Sequence, residues 1–163
     1  MEKVTSQDGT SIAFHHSGAG FPLILVHGTG SASTRWAHIF PPLEEHFNVY
    51  AVDRRGRGGS GDSHTYAIER EFEDIAAVIN ALGEPVDLLG HSFGGFSALE
   101  AALLTPNLRK LILYEPPLPL PGAALDPEGL NNRFQALLEA GDQDRALIMF
   151  YREVANMPPH EIE

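Results

Sequence analysis

Apolar residues in this 163-residue chain come in short continuous runs broken by polar, glycine-bearing turns. Pro22-Leu23-Ile24-Leu25-Val26 is such a run, and apolar character without alternation predicts a strand covered on both faces. Val49 to Val52, Val86 to Leu89 and Leu108 to Tyr114 predict three more buried strands. Ahead of them, Val4 to Gln7 and Ser11 to His15 flank Asp8-Gly9, a two-residue hairpin signal. The runs alternate with helical spacing. Phe72, Ile75, Ala76, Ile79 and Leu82 recur as on one helix face across Glu69 to Leu82, and Gly83 stops that helix. Phe96 to Leu104 predicts another helix, and Trp36 to Phe47 a third that Pro41 and Pro42 break or restart. A hairpin followed by alternating strands and helices predicts an α/β fold with a mostly parallel sheet.

The pattern changes after Tyr114. Glu115 to Gly122 is proline-rich and extended, and two helices are expected at Glu128 to Ala140 and Asp142 to Asn156. Asp142 caps the second, whose apolar stripe is Leu147, Phe150, Tyr151 and Val154. The chain is expected to divide into residues 1–117, a sheet core, and residues 118–163, a partial helical segment lying over it.

Composition narrows the functions. A net charge of −11 repels phosphates, so neither nucleic acid nor an anionic membrane is an expected partner. The absence of cysteine removes disulfides, thiolate catalysis and zinc–thiolate sites. No H-x-x-x-H or H-E-x-x-H pattern occurs, and no metal or other cofactor is expected. The first residues lack the apolar centre of a signal peptide and Phe21 to Val26 is too short to span a bilayer, so a cytoplasmic location is expected.

The chemistry concentrates at Gly90-His91-Ser92-Phe93-Gly94-Gly95, which fits G-x-S-x-G between a strand and a helix. Such a turn lifts a serine hydroxyl above the sheet edge, and the Phe93 amide is placed to donate to a developing oxyanion. His27-Gly28-Thr29-Gly30, ending another strand, brings a second donor, the Thr29 amide; Gly28 and His27 are the rim residues expected to touch substrate. Gly56-Arg57-Gly58-Gly59-Ser60-Gly61 satisfies G-x-G-x-x-G, but two arginines separate it from its strand and no helix opens at Gly61. It is expected to be a solvated loop. His91 precedes Ser92 on the strand, so its ring is directed to the opposite face, and no other histidine shows triad spacing. Glu115 ends the Leu108–Tyr114 strand at the same sheet edge, where a carboxylate can orient a histidine.

These motifs, in this order, resemble the N-terminal part of an α/β-hydrolase fold protein. The resemblance covers about residues 3 to 117 and takes in the hairpin, the His27-Gly28 loop, Asp53 to Ser60 and the Gly90–Gly95 turn. It implies Ser92 as nucleophile, Thr29 and Phe93 amides as the oxyanion hole, Glu115 as acid, and a cofactor-free, acyl-enzyme reaction on a small ester or amide. Residues 118–163 then resemble the start of the family's cap. The family's later strands, which carry its usual acid and its histidine, have no counterpart here. A truncated, weakly active or inactive hydrolase is therefore expected, or half of a two-chain enzyme completed by a C-terminal fragment. A non-catalytic binding protein is the alternative, and a homo-oligomer is open.

Overall fold

The computed structural model describes residues 1–118 and 129–162. The chain divides into two compact units, Met1–Leu118 and Pro119–Glu163. In the first, strands β1 (Glu2–Thr5), β2 (Ser11–Gly18), β3 (Phe21–Val26), β4 (Phe47–Val52), β5 (Val86–His91) and β6 (Leu108–Tyr114) form one sheet in the order β1-β2-β4-β3-β5-β6. β1, β2 and β4 pair antiparallel; β4, β3, β5 and β6 are parallel. The α/β class and its mostly parallel sheet are as the pattern predicts.

Pleating explains the unbroken apolar runs. Ile24 and Val26 of β3 join one core with Ile75, Val78 and Ile79 of helix α2 (Ile68–Leu82) and Ala98 and Ala101 of helix α3 (Phe93–Ala101). Leu23 and Leu25 enter a second core with Trp36, Phe40 and Leu43 on the other face. Each fully buried aliphatic contributes about 1.5–3 kcal/mol, so the central strands form the rigid base from which the functional loops rise. β6 is different. Among the described residues it pairs with β5 alone, and Ile112 and Tyr114 are exposed along it.

Several expectations shift in detail. The hairpin turn is wider than two residues: Thr5 pairs with Ser11, the Ser6 amide bonds the Thr10 carbonyl, and the Asp8 carboxylate takes the Thr10 amide. The single helix expected over Trp36 to Phe47 is a 3-10 turn, Ser33–Trp36, and a short helix α1, Phe40–Glu44, because Pro41 and Pro42 are accommodated only in a helix's first turn.

In the second unit, α4 spans Leu130–Glu139 and α5 spans Gln143–Met149, and the expected Glu128 start lies outside the described residues. Asp142 caps α5 by accepting the Arg145 amide. Ala146 and Met149 are buried while Leu147 and Val154 are exposed, so the expected stripe is not the buried one. A wider π turn at Phe150–Val154 breaks the helical register that this stripe assumed. Among the described residues no helix is long and apolar enough to cross a membrane.

Candidate active site

Ser92 links β5 to α3 with φ 53° and ψ −128°, left-handed backbone that costs a non-glycine residue about 1–3 kcal/mol. The surrounding bonds hold it there. Its amide donates to the Tyr114 carbonyl of β6 at 2.9 Å, and its carbonyl accepts from Gly95 and Phe96 at 2.7 and 3.1 Å. Phe93, the first residue of α3, has no partner for its amide within that helix.

The loop after β3 lies against this turn. A Cβ added at Gly94 would fall 2.4 Å from the His27 carbonyl oxygen, and one at Gly28 would fall 3.0 Å from the Ser92 Cβ. Only glycine permits the first approach, and at Gly28 a methyl group would push its neighbour by a few tenths of an ångström. Thr29 and Phe93 are brought together in the wall of one cavity of about 370 Å³, which Arg54, Arg55, Arg57, Asp62, Ser63, Tyr66 and Glu71 also line.

His27 is corrected from a substrate-contact position. It is 0% exposed, its Nδ1 meets the Gly28 carbonyl at 2.9 Å, and its Nε2 meets the Arg54 amide at 3.1 Å. An amide only donates, so Nε2 accepts and the ring hydrogen sits on Nδ1. Burial pulls this imidazole down to about 4, so it is neutral near pH 7.

The loop after β4 departs most from expectation. Arg54 and Arg55 are buried in ion pairs reaching to α2. Arg54 binds Glu71 through Nε and Nη2 at 2.8 and 2.7 Å and the Gly28 carbonyl through Nη1 at 3.1 Å. Its guanidinium carbon lies 4.5 Å from the centre of the Phe93 ring. Arg55 binds Asp74 at 2.7 and 2.8 Å and Asp8 at 3.0 Å, which holds the Asp8 carboxyl well below the usual carboxylate range. A signal was present: Glu71 and Asp74 share the α2 face that carries Ile75 and Val78, where a carboxylate survives only with a partner.

The rest of that loop folds back on the protein. Asp53 accepts from the Ser33 and Gly59 amides at 2.8 and 2.9 Å; burial raises its pKa, and these bonds outweigh that to leave it lowered. Gly56 bonds Gly61, and Gly61 bonds the Ser11 carbonyl, so these glycines close a turn instead of opening a helix. Arg57 is exposed at its tip.

Glu115 is exposed at the end of β6 with φ 51°, next to the Tyr114 carbonyl that anchors Ser92. The His91 ring stacks on Tyr114 at 5.1 Å. Its pKa is lowered by burial and by Arg35, against the pull of Glu115. Within Met1–Leu118 no histidine hydrogen-bonds the Ser92 hydroxyl, and among the described residues no three acidic or histidine side chains gather as a metal site would.

Residues 23–161 match the profile of the Alpha/beta hydrolase family. The chain belongs to this family. N-formylmaleamate deformylase of Pseudomonas putida is 38% identical over 119 residues, which are 71% of this chain and 44% of that protein. A 2-hydroxy-6-oxo-2,4-heptadienoate hydrolase of Pseudomonas putida is 38% identical over 112 residues, 64% of this chain and 41% of that one. An alpha/beta hydrolase of Sphaerobacter thermophilus superposes with a TM-score of 0.87 at 39% identity, over 99% of this chain and 63% of the other. The chain spans less than half the length of these curated relatives.

Proposed function

We propose that this alpha/beta hydrolase chain carries the nucleophile half of an acyl-transfer site for a small ester or amide. The observation that carries the reading is the strained Ser92 backbone with Gly28 packed against it. The Ser92 hydroxyl attacks the carbonyl carbon and its proton passes to a base. The Thr29 and Phe93 amides receive the charge that develops on the carbonyl oxygen. The leaving group departs with a proton, and water later cleaves the acyl-Ser92 ester. Relatives named as a deformylase, a heptadienoate hydrolase and an esterase support cleavage of a carbonyl substrate.

Glu115 is the acid of this site. Its left-handed backbone at the end of β6 is a conformation that structures retain at functional positions. The base is a histidine brought to Ser92 by a complementing segment, a longer parent chain or a C-terminal fragment.

A fluorophosphonate probe followed by intact-mass measurement tests the reading. One adduct is expected on the wild-type chain, slow alone and faster with the complementing segment, and none on Ser92→Ala. Absence of an adduct under both conditions overturns the enzyme reading in favour of a non-catalytic binding protein, the alternative that the missing histidine contact supports.

A further inference from the structure

We propose that Arg54 is the positioning residue of the oxyanion hole, bound to the peptide that carries the Thr29 amide and lying over the ring of Phe93. The inference rests on the Ser92 reading above. It begins with the Gly28 carbonyl oxygen, which accepts from His27 Nδ1 at 2.9 Å and from Arg54 Nη1 at 3.1 Å. The peptide that carries this oxygen also carries the Thr29 N–H. A trans peptide is planar, so its C=O and N–H point in opposite directions, and holding one aims the other. Two donors on the Gly28 oxygen therefore fix the direction of the Thr29 amide without touching it.

The same guanidinium lies 4.5 Å from the Phe93 ring, at the residue that supplies the other amide. One side chain thus spans the loop after β3 and the start of α3. It is itself locked. Nε and Nη2 are taken by the two oxygens of Glu71, and the pair is buried. Arg54 and Glu71 also line the cavity beside Thr29 and Phe93.

Three separate directions of donation are in use, two to Glu71 and one to Gly28. The rigid guanidinium fork supplies all three at once; a lysine ammonium is a point charge on a flexible stem and cannot reproduce that geometry. Arg54→Lys therefore keeps a positive charge beside Glu71 and removes one of the two donors on the Gly28 carbonyl.

The test compares the full wild-type chain with Arg54→Lys. Fluorophosphonate labelling of Ser92 is followed against probe concentration, which separates probe binding from bond formation, and the Thr29 amide resonance is followed by NMR. The expected result is bond formation about 10- to 100-fold slower with probe binding little changed, and a displaced Thr29 resonance. An unchanged bond-forming rate with Thr29 unmoved overturns the proposal. If the wild-type chain takes no label either alone or with the complementing segment, the Ser92 reading fails by itself; the Thr29 resonance still decides whether Arg54 holds the peptide. Should Arg54→Lys not fold, Arg54→Met with Glu71→Leu removes both charges from the buried site, and the same two readouts apply.

Discussion

Two bidentate arginine–glutamate pairs stand in different parts of this molecule. Arg54 meets Glu71 at 2.8 and 2.7 Å under the sheet edge, and Arg133 meets Glu153 at 2.7 Å twice within the helical segment. Bond lengths do not separate them; surroundings do. The side chains of the first pair are 5% and 4% exposed, those of the second 47% and 38%. In the first, each charge is stranded in low dielectric if its partner leaves. In the second, water takes the partner's place. The buried pair also has a second task, since Arg54 holds the Gly28 carbonyl.

That contrast can be broken by experiment. The largest effect is expected from Arg54→Ala, which leaves the Glu71 carboxylate buried without its cation and lowers unfolding stability by about 3–5 kcal/mol in denaturant titrations. A loss no larger than that of a surface variant would erase the distinction.

Next is acid. Folded His27 takes its proton only near pH 4, whereas an unfolded histidine does so near 6.5. Between these values the unfolded chain holds more protons, so stability falls as pH drops through that window, by roughly 3 kcal/mol in total. Unfolding midpoints measured at pH 7, 5.5 and 4.5 should show this slope in the wild-type chain, and a flatter one in His27→Asn. The smallest effect belongs to Arg133→Ala, whose unfolding midpoint should match the wild type within error.

Legibility in the sequence followed the range of the interaction. Elements built from local rules were readable: continuous apolar runs became the central strands, and glycines around Ser92 announced a sharp strand-to-helix turn. Ends and interruptions were less so, because the hairpin turn and the break between the 3-10 turn and α1 depend on hydrogen bonds that the apolar pattern does not encode. The Arg54–Glu71 and Arg55–Asp74 pairs join positions 17 and 19 residues apart, through a helix whose carboxylates count as a polar face in one dimension. Only the third dimension turns that face inward. His27 shows the same limit, since a rim position by chain order is a filled interior position by packing.

Gly94 has a practical consequence for anyone redesigning this protein. With less than a methyl group's clearance between that residue and the His27 carbonyl, the helix that begins at Phe93 has no slack along its approach to the sheet. The height of the serine oxygen is thus a fixed dimension of the scaffold, not a variable that loop shuffling can tune. Libraries aimed at new reactivity should leave residues 90–95 intact and diversify the outer wall at Asp62 and Ser63, where side chains border the hollow.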